Sequence, residues 1–226
     1  MFLHGYLSCK ESFSYQINAL KSKRRIIAVD LRGFGESSAL PFAYSLSDYV
    51  NDVKDLITAL KIERYDVVAH SFGGRIALRL ATADSRVDKI VLTGSAGLKP
   101  KRSLKYYFKV YLYKLLKKFI SEKNLKNFGS KDYVRLSPVM KKSFIKIVNE
   151  HLDKELKNVN NKTLIIFGKN DKETPLYFAK KLKKEIKNSY LIVIENAGHF
   201  AFVDNPNAFN LYLKEFLFGD DYEYFS

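Results

Sequence analysis

The chain has 226 residues, enough to bury one sizeable core and close to the upper end of a single α/β domain. Hydrophobic residues make up 46% and aromatics 14%, which excludes a disordered or fibrous protein. Lys and Arg outnumber Asp and Glu by 39 to 24, a net charge of +15. The excess is lysine scattered among Asn and Ile with no nucleic-acid motif beside it, so it reads as a compositional bias and not as a nucleic-acid surface.

The single cysteine, Cys9, leaves no intramolecular disulfide and no metal-site spacing. No stretch of about 18 apolar residues is present, and the start MFLHGYLSCK lacks the basic and apolar regions of a secretory signal. A cytoplasmic location is the expectation.

In chain order, β-branched runs predict a strand stub at Phe2–Leu3 and strands at Arg25–Asp30, Tyr65–Ala69, Lys89–Thr93, Thr163–Phe167 and Tyr190–Glu195. Between them, helical spacing predicts helices at Glu11–Leu20, Leu46–Leu60, Gly73–Thr82, Pro175–Ile186 and Pro206–Phe216, with both prolines in first-turn positions. Such alternation predicts an α/β fold with a mostly parallel sheet of about six strands covered by helices on both faces. Residues 99–158 break the alternation. They are lysine- and tyrosine-rich and helical in period, so they read as a helical insertion, with 1–98 and 159–226 forming the core.

Val67-Val68-Ala69-His70-Ser71-Phe72-Gly73-Gly74 is a β-branched strand that runs straight into a helix. A sharp strand-to-helix turn lifts the serine hydroxyl above the sheet and turns a backbone N–H toward a developing oxyanion. Small neighbours are needed because the turn brings backbone close, and Gly73 and Gly74 supply them; Ala69 stands where such turns usually have glycine. A serine hydroxyl needs a base, and the base an orienting carboxylate. His199 follows the last strand and Asp171 the strand before it, so both project from the same carboxyl-terminal sheet edge as Ser71. No histidine forms a metal cluster with carboxylates, and no cofactor motif is present.

Together, His4-Gly5-Tyr6, the run Asp30 to Ser37 (DLRGFGES), His70-Ser71-Phe72-Gly73-Gly74, Gly168-Lys169-Asn170-Asp171 and Ala197-Gly198-His199-Phe200 with Asp204-Asn205-Pro206 resemble successive signatures of the α/β-hydrolase superfamily. Within it, the chain is similar to capped esterases and carbon–carbon bond hydrolases, whose helical cap falls between the sixth and seventh strands. The resemblance implies Ser71 as nucleophile, His199 as base, Asp171 as orienting acid, and an oxyanion hole from the N–H groups of Tyr6 and Phe72. It implies a cofactor-free hydrolase of carboxylic esters, or of a carbon–carbon, thioester or amide bond with the same residues. It also argues against epoxide hydrolase or dehalogenase chemistry, which places aspartate where Ser71 stands. His4 is expected to buttress the oxyanion loop, His70 to pack, and His151 to be solvated.

Two departures stand out. The family has two further strands before its His-Gly loop, so the chain reads as a fragment or mis-started frame with Ile26–Val29 as an exposed edge open to edge-to-edge homo-oligomers. Asp204 stands where glutamate is usual. In the insertion, Lys99–Lys126 carries ten basic residues against one acidic, with Leu104, Phe108, Tyr111, Leu115 and Phe119 at helical spacing. An ordinary lid over an apolar acyl pocket is the first reading; contact with an anionic membrane and steering of an anionic substrate are the others. A non-catalytic scaffold of the same fold is the rival reading of another class.

Overall fold

The computed structural model describes residues 1–101 and 136–219. The elements, in chain order, are β1 (Phe2–Leu3), α1 (Ser14–Leu20), β2 (Ala28–Val29), α2 (Leu46–Ala59), β3 (Tyr65–His70), α3 (Phe72–Ala83), β4 (Val87–Thr93), α4 (Pro138–Asn149), β5 (Thr163–Gly168), α5 (Tyr177–Glu185), β6 (Ser189–Ile194), α6 (Ala201–Asp204) and α7 (Pro206–Phe218). The strands form one six-stranded sheet in the order β2-β1-β3-β4-β5-β6. Every pairing is parallel.

The strands read as continuous apolar runs because both faces of the sheet are covered. Alternate residues divide between two cores. Val67 and Ala69 of β3 and Ile165 and Phe167 of β5 pack on one side with Tyr49, Ile57, Ile76 and Leu182 from α2, α3 and α5. Val68, Leu164 and Ile166 pack on the other with Leu20, Phe202, Phe209, Leu213 and Phe216 from α1, α6 and α7.

Helix ends follow local chemistry. Ser45 caps α2 in a reciprocal box with Asp48: the Ser45 amide donates to Asp48 Oδ2 at 2.7 Å and the Asp48 amide donates to Ser45 Oγ. Ser137 and Asn205 cap α4 and α7, each followed by a proline at the first helical position.

Several expected boundaries move. The Arg25–Asp30 strand shrinks to Ala28–Val29, because its one described neighbour, β1, offers only Phe2 and Leu3 to pair with. Residues Lys10–Phe13 form a 3₁₀ turn ahead of α1 instead of its first turn. Pro175 lies before the cap residue Leu176, so α5 starts only at Tyr177, whereas Pro206 does open α7. Tyr65–Ala69, Lys89–Thr93 and Thr163–Phe167 each extend by one or two residues.

Of the 99–158 segment, residues 102–135 lie outside the described residues, and with them the apolar face from Leu104 to Phe119. The described remainder follows β4 and holds α4 and a 3₁₀ turn at Leu156–Asn158 before β5. Counted with the family's two additional strands, that position is the one between strands six and seven.

Helix α4 is tied to the core. The buried Arg75 guanidinium donates to the carbonyls of Ile147 and Glu150 at 2.8 and 2.6 Å, at the carboxyl-terminal end of α4. Burial lowers the Arg75 pKa to about 10, within a range where it stays charged at neutral pH. Ser143 adds a bond to the Tyr44 carbonyl at 2.9 Å. His151, expected in solvent, is half-buried beyond the end of α4. At the other side of the sheet, β2 is the edge strand. A cleft of about 690 Å³ runs beside it, lined by residues including Lys10, Val29, Asp30, Arg32, Asp52 and Leu56.

Candidate active site

Ser71 sits between β3 and α3 with φ 49° and ψ −107°, a region that non-glycine residues enter at a cost of order 1–3 kcal/mol. The surroundings over-determine the turn. The Ser71 amide donates to the Thr93 carbonyl, and the Ser71 carbonyl accepts from the amides of Gly74 and Ala96. Glycine is required at the next two positions but one from the serine by close approach: a Cβ on Gly73 would stand 2.1 Å from the Leu3 carbonyl oxygen, and one on Gly74 2.1 Å from Ser95 Oγ. Ala69, the departure from the usual glycine, is fully buried in β3 and keeps regular pairing with Leu3 and Leu92, so its methyl is accommodated.

The His4–Tyr6 loop lies against this turn. The Gly73 amide donates to the His4 carbonyl, and the ideal Cβ position of Gly5 is 3.4 Å from Ser71 Cβ. His4 is fully buried; its Nε2 accepts from the Leu31 amide at 3.0 Å while Nδ1–H donates to the Gly5 carbonyl at 2.7 Å. Burial lowers its pKa, as two neutral-form hydrogen bonds require. His4 therefore braces the loop between β1 and the Asp30–Ser37 turn. Asp30 secures that turn by accepting from the amides of Lys10 and Glu36 at 2.7 and 3.0 Å.

Among the described residues, neither the Tyr6 nor the Phe72 amide donates to a protein acceptor. Their side chains belong to an aromatic group: the Tyr6 ring meets Phe34, Phe72 and Phe144 with centroids 4.8, 5.6 and 5.1 Å apart. Burial raises the Tyr6 hydroxyl to about 12, and it donates to the Met140 carbonyl of α4 at 3.3 Å.

Asp171 and His199 meet at the same sheet edge, with His199 Nδ1 2.9 Å from Asp171 Oδ2 and both side chains buried. Asp171 Oδ1 accepts from the amides of Glu173 and Thr174 at 2.9 Å each, and Oδ2 accepts from the Thr174 hydroxyl at 2.8 Å. Burial alone would raise the Asp171 carboxyl; the bonds from His199 and Thr174 outweigh it and hold the pKa below the usual carboxylate range. The His199 loop is fixed by the Gly198 amide donating to Asp204 Oδ2 at 2.7 Å, so aspartate serves where the family usually has glutamate. Gly94, after β4, lets the ring approach: a Cβ there would be 3.0 Å from His199 Nδ1.

His70 packs beneath. Its ring lies 4.6 Å from that of His199, and Nε2–H donates to the His199 carbonyl at 3.0 Å. Burial first, then the neighbouring His199, lowers its pKa to about 3, so it is neutral and structural. The sequence marks Asp171 and His199 but not Thr174 or Glu173. Glu173 Oε2 stands 3.4 Å from His199 Nε2. Their place in the same short turn as Asp171 was the available signal. Among the described residues, no hydrogen bond joins the Ser71 hydroxyl to His199, whose Nε2 faces Glu173, and no group of His, Cys, Asp and Glu is arranged to hold a metal ion.

An open parallel sheet with a strained serine turn, a braced His-Gly loop and a carboxylate–imidazole pair at one edge is the architecture of α/β hydrolases. The chain belongs to that superfamily: the family model described as alpha/beta hydrolase fold matches residues 1–131, and one described as TAP-like protein matches 146–219. A relative from Bacillus subtilis, the AB hydrolase superfamily protein YisY, is 30% identical over 96% of this chain and 90% of its own length. Among solved structures, a meta-cleavage product hydrolase from Pseudomonas fluorescens is 26% identical with a TM-score of 0.73, over 96% of this chain and 89% of that one. An esterase from Exiguobacterium antarcticum is 27% identical with a TM-score of 0.74, over 96% and 90%. The chain is thus close both to carbon–carbon bond hydrolases and to esterases. No helix of the described residues is long and apolar enough to cross a membrane.

Proposed function

We propose that the protein is a cofactor-free serine hydrolase of carboxylic esters, with Ser71 as nucleophile, His199 as general base and Asp171 as its orienting carboxylate. The observation that carries the reading is the 2.9 Å bond between His199 Nδ1 and Asp171, formed beside the strained Ser71 turn. With Nδ1–H held by Asp171, the lone pair of His199 lies on Nε2, the nitrogen that would take the Ser71 proton. Ser71 Oγ attacks the ester carbonyl, and the Tyr6 and Phe72 amides receive the oxyanion. The proton on Nε2 passes to the departing alcohol; water then reverses the sequence, releasing the acid and restoring Ser71.

Residues 99–158 serve as a lid in this reading, supported by the ties of α4 to Tyr6, Tyr44 and Arg75. The aromatic group around Tyr6 suits an apolar acyl chain. A cytoplasmic location fits the single cysteine. Similarity to a meta-cleavage product hydrolase keeps one second reading, cleavage of a carbon–carbon bond beside a ketone by the same residues.

The test is turnover of p-nitrophenyl acyl esters of graded chain length by wild type and Ser71→Ala. The expected result is hydrolysis by wild type and loss of about five to six orders of magnitude in kcat in the variant. Hydrolysis that survives Ser71→Ala contradicts the assignment.

A further inference from the structure

Glu173 stands two residues beyond Asp171, in the turn that satisfies Asp171. Its amide donates to Asp171 Oδ1, so its backbone is tied to the same carboxylate that holds His199. From there the side chain reaches the other nitrogen of the ring, with Oε2 3.4 Å from Nε2. The Glu173 side chain is 69% exposed against 7% for His199, which puts a carboxylate on the solvent rim of a buried base. Lys169 in the same loop is engaged by Glu195 at 2.8 Å.

Nε2 is the atom that hands the proton to the departing group in the reaction proposed above. We infer that Glu173 is a specificity-determining residue that discriminates against departing groups carrying a negative charge, making neutral-alcohol esters the substrate class. The inference rests on the Ser71–His199–Asp171 reading and adds to it the charge that the departing half can carry. The net charge of +15 acts in the opposite sense, drawing anions to the surface, but at physiological salt it is screened beyond about 8 Å. On the Nε2 side of the ring, opposite Asp171, the Glu173 carboxylate is the charge in contact. Two like charges about 8 Å apart in an effective dielectric of about 20, discounted by the same salt screening and by the exposure of Glu173, change a rate roughly three-fold.

The experiment uses the full chain and a matched pair of esters, 4-acetoxybenzoate and its methyl ester, whose departing phenols differ by one carboxylate. The quantity read is the ratio of kcat/KM for the anionic ester to that for the neutral one, in wild type, Glu173→Gln and Glu173→Lys. The ratio is expected to rise roughly three-fold in Glu173→Gln and further in Glu173→Lys. A ratio unchanged in both variants, with the methyl ester still hydrolysed, overturns the role of Glu173 alone. Failure of wild type to hydrolyse either ester or to be labelled by a fluorophosphonate overturns the serine reading and this inference with it.

Discussion

The two sides of the sheet are built differently. Around β5 and β6, strands of six residues pair along their whole length, from Thr163 with Ser189 to Gly168 with Ile194, and the loops beyond them carry Asp171 and His199. At the other side, β1 and β2 share two residue pairs, and Ile26–Val29 are only half-buried. Six paired residues on a strand as fully buried as β5 anchor the loops that follow, even though β6 is a half-buried edge, whereas a two-residue ladder relies on what packs around it. The His4–Tyr6 loop compensates for its short strand by other means: His4 bridges to Leu31, the His4 carbonyl accepts from Gly73, and Tyr6 lies in an aromatic group.

The largest effect that would break this comparison is at the well-braced side. Asp171→Asn keeps the shape but removes the charge that fixes the His199 tautomer, and kcat for an ester substrate is expected to fall about 10⁴-fold. A fall below ten-fold, measured by steady-state kinetics, would show that Asp171 does not orient the base.

A pair of truncations sharpens the contrast in stability. Ile165→Ala, in the fully buried centre of β5, is expected to cost about 2–5 kcal/mol in urea denaturation. Ile27→Ala, half-buried at the edge, should cost about 1 kcal/mol. Equal losses would mean that the edge is as firmly packed as the centre.

The third effect is a pH dependence. An unfolded histidine takes up a proton near 6.5, while folded His70 does not until about 3. The unfolded state therefore binds more protons in that window, and stability falls as pH drops through it. The contribution is about 1.4 kcal/mol per unit between roughly pH 6 and 4. A His70→Gln variant should show a flatter dependence over that range; identical slopes would remove His70 as its source.

The sequence reveals most where a feature depends on neighbours in the chain. The Ser71 turn, with Gly73 and Gly74 forced by the close approach of Leu3 and Ser95, and the placement of Asp171 and His199 after consecutive strands follow from local pattern and strand order. The length of β2 does not, because Arg25–Asp30 has the composition of a full strand and its extent is set by the partner it pairs with. The brace from Arg75 to the end of α4 and the half-burial of His151 join segments some 70 residues apart, which no periodicity encodes. For Glu173 only its place in the turn after Asp171 is legible, since nothing in its residue type marks which way an exposed carboxylate turns.

The central claim is that Ser71 is an activated nucleophile. It is tested most directly by treating the purified protein with a fluorophosphonate and locating the adduct by peptide mass spectrometry, with His199→Ala alongside. The account predicts one adduct, on the peptide containing Ser71, that is lost in His199→Ala. A folded protein that takes up no label, or takes it up on another residue, would contradict it.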